Sequence, residues 1–481
     1  MALSPVHATG RTNFNLRSKL WHIMTCSTLP RELVEFFKVP GNATLLVKGP
    51  AGAGKTLLSL ELMRCLSTPE HALYVSTRVD PKAVVSQYPQ LKGWLPPTSV
   101  VDATESLVRS QADLSTSIRY SNLPELLQFI YSEFERRGRS LFLVLDSIEA
   151  IEPAVKLPAE RLLHHLSDFS RRTGMKTVVV TEVKGESKLD YLSDGVVELK
   201  QKIIDGRVFR IMELKKLRGI EVESPAKPFT LVGGRFSVVK PFKFPRFEEI
   251  ARRASSTITL LSQREEGSSS VTSGIDSFDR VFGGYRPGQL ITFTLGRHVP
   301  AGFLTIIVGM QILACYAKQR SMLMVPPRFA GPSFLLWLSR TLTGREDIEE
   351  TVSFLPPEGT PEQYASLITS KLRSLRAHSS KPVVLVFPVD SLEMVFGVEG
   401  AIQVVCKVTS YIKESQDICL AFIHEFSKLK DQVSEVADRD YRVISYAGHI
   451  FVFREKPFTG AYSFSQDVSK EIIDIELKPI K

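Results

Sequence analysis

Residues 49 to 56 read GPAGAGKT, preceded by the apolar run ATLLVK at 43–48 and followed by Leu57 to Leu66, a helix-forming run without proline. A buried strand, a glycine-rich loop and a helix in that order commit this part of the chain to an α/β sheet. The spacing G-x-x-x-x-G-K-T is that of a phosphate-binding loop. Gly52 and Gly54 supply dihedrals and a close approach that a Cβ would block, so the backbone N–H groups between Gly49 and Lys55 can wrap a β-phosphate. Lys55 then reaches the β and γ oxygens. Thr56 opens the helix, placing its hydroxyl on Mg2+ while the helix N-terminus adds favourable partial charge. The expectation is an ATP and Mg2+ site formed by Gly49, Pro50, Ala51, Gly52, Ala53, Gly54, Lys55 and Thr56.

The chain has 481 residues, more than one core usually serves, so two domains are expected. With 43% hydrophobic and 23% charged residues it has an ordinary globular composition. A net charge of +9 permits contact with nucleic acid or an acidic partner without demanding it. Cys26, Cys65, Cys315, Cys406 and Cys419 show no C-x-x-C spacing and no even pairing, and read as buried free thiols of a reducing compartment with no zinc site. The N-terminus lacks an apolar signal core, and the longest apolar stretch, Phe303 to Cys315, is too short to cross a bilayer and reads as a core helix. A cytoplasmic protein without membrane contact is expected.

Downstream of the loop, strand signals alternate with helical ones, which predicts a three-layer fold with a largely parallel sheet. Leu123, Leu126, Leu127, Ile130 and Phe134 share one helical face, and Gly138 is placed to stop that helix. The run LFLVLD at Leu141 to Asp146 delivers a carboxylate at a strand's carboxyl end, where Asp146 would hold Mg2+ through water. The second half repeats the order: Ile291 to Leu295, Met322 to Val325, Val383 to Phe387 and Ile418 to Ile423 answer the first half's strands at Ala43 to Lys48, Leu73 to Ser76, Leu141 to Asp146 and Lys176 to Glu182, and VDSLE at 389–393 answers LDSIE at 145–149. Its loop reads GRHVPAGFLT from Gly296 to Thr305, with Phe303 where the lysine belongs, so triphosphate binding should be lost there and the half kept as scaffold. The fold expected is two tandem RecA-like three-layer domains, the second with a degenerate phosphate loop. The boundaries expected are an extension at 1–27, an ATP-binding domain at 28–254, a linker at 255–270 where LLSQREEGSSS breaks the pattern, and a second domain at 271–481.

These motifs, with TSGIDSFDRVFGGYRPGQLITF at Thr272 to Phe293 and VVDATE at Val100 to Glu105, resemble the RecA-like ATPases of the KaiC and RadA group over nearly all of residues 28–460. The intact first half, the decayed second half and YVSTRVDP at Tyr74 to Pro81 are similar to the GvpD family of archaeal gas-vesicle regulators. The resemblance implies a pair of glutamates after the second strand, one serving as general base, but here those positions are Arg78 and Val79. Asp80 and Glu149 are substitutes, although a loop aspartate also serves as a turn former. Glu182 resembles the family's γ-phosphate-sensing position, and a solvated carboxylate is the other reading. In LKKLRG, Lys216 and Arg218 match a K-x-R pair that reaches the neighbouring subunit's γ-phosphate, which implies a homo-oligomeric ring or filament; the plain reading is a solvated hairpin end.

From Arg235 to Arg253, six basic residues are interleaved with Phe236, Phe242, Phe244 and Phe247. Aromatics among cations can form a platform for single strands, but Pro241 and Pro245 favour an extended segment docking its phenylalanines between domains. The function expected is a slow regulatory ATPase, its nucleotide state controlling an assembly or a protein partner such as a transcription regulator. The alternatives are a DNA-binding recombinase paralogue of the RadA type and a non-hydrolysing nucleotide-binding scaffold.

Overall fold

The computed structural model describes residues 26–76, 86–88, 91–102, 116–117, 123–152, 156–244, 246–267, 270–327, 330–467 and 470–481. The chain divides into two compact units, one of residues up to 239 with 480–481, the other of residues 240–479.

In the first unit, β1 (Thr44–Lys48), β2 (Ala72–Ser76), β3 (Val100–Asp102), β4 (Thr116–Ser117), β5 (Phe142–Asp146), β6 (Lys176–Thr181), β7 (Gly195–Ile204), β8 (Arg207–Leu217), β9 (Ala226–Thr230) and β10 (Ser237–Val238) form one sheet. Its order is β10-β9-β8-β7-β1-β6-β5-β2-β3-β4. From β7 to β4 every pairing is parallel, and β8, β9 and β10 extend the other edge antiparallel. The apolar run of β1 is explained by burial on both faces: Leu45 and Val47 enter one core and Leu46 the opposite one. The helix Lys55–Leu66 covers the first face through Leu58 and Leu62. Leu123–Arg136 covers the second through Leu126, Ile130 and Phe134, joined by Ala159–Thr173 through Leu162 and Leu166. Gly138, with φ of 72°, follows the first of these two helices at the expected stop.

The second unit contains β11 (Gln289–Leu295), β12 (Met322–Met324), β13 (Val352–Phe354), β14 (Val384–Pro388), β15 (Ile418–His424), β16 (Arg439–Tyr446), β17 (His449–Lys456), β18 (Ala461–Asp467) and β19 (Asp474–Ile480). Its order is β13-β12-β14-β15-β11-β16-β17-β18-β19. The run β13-β12-β14-β15-β11-β16-β17 reproduces β3-β2-β5-β6-β1-β7-β8 strand for strand, including the switch to antiparallel pairing at the last step. Phe293 of β11 enters one core and Leu290 the other. The chain is therefore two tandem RecA-like α/β domains with largely parallel sheets.

One sequence expectation needs correction. Residues 255–263 are no linker but the second half of the helix Phe247–Gln263, whose Ala254 and Leu261 are buried in the second unit's core with Ile250 and Ile258 packed beside them. The boundary lies at 239/240, ahead of this helix. Two phenylalanines of the basic stretch dock into cores, the reading the prolines favour: Phe236 is buried in the first core, its ring 4.5 Å from Phe229, and Phe242 in the second, 6.4 Å from Phe464.

Candidate functional site

The phosphate loop leaves the end of β1 and turns into the helix Lys55–Leu66 with Gly49, Gly52 and Gly54 at φ of 147°, 72° and 98°. Gly49 is demanded twice over, since a Cβ there would stand 2.5 Å from the backbone oxygen of Leu199 on β7. The helix is capped by Gly54, which offers no side-chain oxygen, so its first N–H groups meet no competing side-chain cap. Lys55 is buried, its ammonium donating to the carbonyls of Gly49 at 2.8 Å and Pro50 at 2.9 Å. Gln201 and Arg210, on β7 and β8, both donate to Gly52 O at 3.0 Å and brace the loop from the adjoining hairpin.

Asp146 ends β5 beside this loop. Its Oδ2 accepts from the Thr56 hydroxyl at 2.6 Å and from the Tyr74 hydroxyl on β2 at 3.0 Å. Burial, then the Asp146 charge, pushes the Tyr74 phenol well above its ordinary range, so it remains a donor to that carboxylate. Gly52, Gly54, Lys55, Thr56, Asp146 and Glu182 line one cavity of about 340 Å³, completed by Tyr74, Tyr88 and Leu231. The donor set fits a magnesium-bound nucleotide: an ammonium and open helix N–H groups for phosphate oxygens, and a hydroxyl and a carboxylate in contact for one hard cation. Tyr88 and Leu231 belong to no motif, and Tyr74 opens YVSTRVDP without being marked there as a site residue. For Tyr74 the usable signal is position, an alternate residue of a strand next to the Asp146 strand.

The three candidate bases separate. Asp80 lies outside the described residues, as do Arg78 and Val79. Glu149 is committed elsewhere: its Oε1 accepts from the Thr181 hydroxyl and from Glu182 N at 3.0 Å, tying the segment after β5 to the end of β6. The second domain has a comparable tie, Glu393 accepting from the hydroxyl of Ser427, in the turn after β15, at 2.5 Å. A carboxylate so placed in both domains is a loop clamp first. Glu182 is the candidate that lines the cavity.

Lys216 and Arg218 both have partners within their own chain. Lys216 donates to the carbonyls of Asp190 at 3.0 Å and Ser193 at 2.8 Å. Arg218 and Arg171 meet Asp194 Oδ1 at 3.1 and 2.9 Å, while Asp194 Oδ2 accepts the N–H groups of Ala43 and Thr44 at the start of β1. In the second domain, Phe303 turns into the core, its ring 5.0 Å from Phe464. Asp390, the counterpart of Asp146, accepts from His424 N at 3.1 Å and from its Nδ1 at 2.5 Å.

The cysteines are free thiols, with Cys65, Cys315 and Cys419 buried; Cys406 is exposed, against the expectation of burial. Among the described residues no His/Cys/Asp/Glu cluster is placed to hold a metal, and no helix is long and apolar enough to cross a membrane.

Residues 33–215 match the family model described as GvpD gas vesicle protein, P-loop domain. Protein GvpD2 of Halobacterium salinarum is 24% identical over 482 residues, covering 93% of this chain and 95% of that protein. Protein GvpD1 of the same organism is 29% identical over 314 residues, covering 64% of this chain and 58% of that protein. The matched segment runs through β1, the phosphate loop, the Asp146 strand and most of the β7–β8 hairpin that braces the loop, and on this ground the chain is a GvpD-like P-loop protein.

Proposed function

We propose that the chain is a magnesium–ATP-dependent regulator of the gas-vesicle system, binding nucleotide in its first domain and passing the nucleotide state to a protein partner such as a transcription regulator. The observation that carries the reading is the convergence of Lys55 and Thr56 with Asp146, from two separate stretches of sequence, on one cavity at the carboxyl edge of the sheet. The first domain would hold the triphosphate through Lys55 and the loop N–H groups, with Thr56 and Asp146 positioning the cation; bound there, Mg2+ neutralises phosphate charge. In the second domain Phe303 is buried at the lysine position, which argues against a comparable cradle there. Calorimetric titration with Mg2+–ATP should give a stoichiometry near one per chain. Two equivalent sites would overturn this assignment.

Turnover is proposed to be slow. Positioning by Lys55, Thr56 and Asp146 favours the bound triphosphate as much as its transition state, so binding persists where hydrolysis is poor. Glu182 is the carboxylate proposed to activate water, Glu149 being engaged with Thr181. Glu182→Gln should lower single-turnover hydrolysis by about a hundredfold or more, the usual scale of a general base, with ATP affinity held within a few fold. Hydrolysis that is unchanged by this substitution would remove Glu182 from the chemistry.

A further inference from the structure

The second domain has a cavity of about 180 Å³ at the carboxyl ends of β11, β14 and β15, the place in its sheet that the phosphate site occupies in the first domain. Its chemistry is different. Leu295, Leu304, Pro327 and Phe422 make apolar walls, and Asp390, Ser391 and His424 form a polar end. Phe426 stacks on the His424 ring at 5.1 Å and 19°. Ser391 is 5% exposed, and its buried hydroxyl has no hydrogen-bond partner among the described residues.

Each of these features selects against phosphate and for something else. No lysine or arginine is among the residues lining the cavity, and Asp390 places a carboxylate where an anion would have to sit. Asp390 is held on one side by His424, which leaves it lone pairs to accept another donor. An orphaned buried hydroxyl costs free energy until something bonds to it, and Ser391 lines the cavity, so that rotation about its Cα–Cβ bond would offer the hydroxyl to a bound molecule. Apolar cavities of about 150 Å³ hold a benzene ring, which sets the size.

We propose that this cavity binds a single-ring, uncharged organic molecule carrying one hydroxyl, of the phenol class, with its ring against Leu304 and Phe422 and its hydroxyl bonded to Ser391 and Asp390. The assignment does not depend on nucleotide binding in the first domain.

The test uses the full chain with phenol, benzene and phenyl phosphate as probes, followed by saturation-transfer NMR and thermal melting. Phenol should bind and raise the melting temperature, benzene should bind about three- to tenfold more weakly, and phenyl phosphate should not bind. Ser391→Ala should bring phenol down to the level of benzene and leave benzene unchanged. Leu304→Phe, which fills part of the space, should weaken both, and saturating Mg2+–ATP should displace neither. Equal binding of phenol and benzene to the unmodified chain would reduce the site to an apolar hole and overturn the proposal. Preferred binding of phenyl phosphate, displacement by ATP, or no binding of any probe would overturn it as well.

Discussion

Replacing Lys55 with alanine is expected to weaken Mg2+–ATP binding by about a hundredfold or more while moving the melting temperature by only a few degrees. The asymmetry follows from what the ammonium does in each state. Without nucleotide it bonds to the carbonyls of Gly49 and Pro50, oxygens of the loop itself, and Pro50 is only half-buried, so water can take over part of that bonding. With nucleotide it would exchange these neutral acceptors for phosphate oxygens, and charge-assisted bonds contribute roughly 1.5–3 kcal/mol each. Losing two of them reaches the expected effect. Calorimetry and a thermal melt on the same preparation separate the two contributions. Retained affinity in Lys55→Ala, with the fold intact, would show that phosphate is not held at this loop.

The phosphate loop and the Asp146 strand are legible in sequence because their chemistry is local: a glycine where φ is positive, a lysine beside it, a carboxylate ending an apolar run. The repeat is legible because strands buried on both faces appear as continuous apolar runs, and four of these recur in the same order in both halves. What surrounds the phosphates is less visible. Leu231 lies far along the chain and reaches Gly54 only because β8 and β9 fold back across the sheet edge, its methyl carbon 3.0 Å from where a Gly54 Cβ would stand. The helix over 255–263 escapes a reading based on its serines, yet Ile250, Ala254, Ile258 and Leu261 recur at helical spacing, and this periodicity is what the core uses. Glu149 reads as a catalytic candidate because sequence places it near Asp146, whereas its Oε1 is engaged by Thr181 and the Glu182 N–H at the end of the neighbouring strand.

Asp194 is expected to matter more for stability than either basic residue near it, and the difference decides how Lys216 and Arg218 can be tested. Its side chain is 0% exposed and joins the start of β1 to the entrance of β7 through the N–H groups of Ala43 and Thr44. The second domain repeats the device, Asp438 accepting the Leu290 N–H at 2.8 Å at the start of β11. Asp194→Ala leaves two backbone donors at a buried strand end without that acceptor and removes the counter-charge of Arg171 and Arg218. Each buried donor left unsatisfied costs about 1–3 kcal/mol, so a loss of roughly 3–5 kcal/mol is expected. For a domain of this size that lowers the first unfolding transition by about 6–20 °C. Arg218 is 58% exposed and Arg171 remains to serve Asp194 in its absence, so Arg218→Ala should cost about 1 kcal/mol or less. That substitution therefore leaves a folded chain in which the proposed contact with a neighbouring subunit's nucleotide can be read: specific activity should rise with protein concentration in the unmodified chain and lose that dependence in Arg218→Ala. If Arg218→Ala melts as low as Asp194→Ala, the arginine is part of the clamp. If it melts normally and the concentration dependence persists, Arg218 does not act on a neighbour.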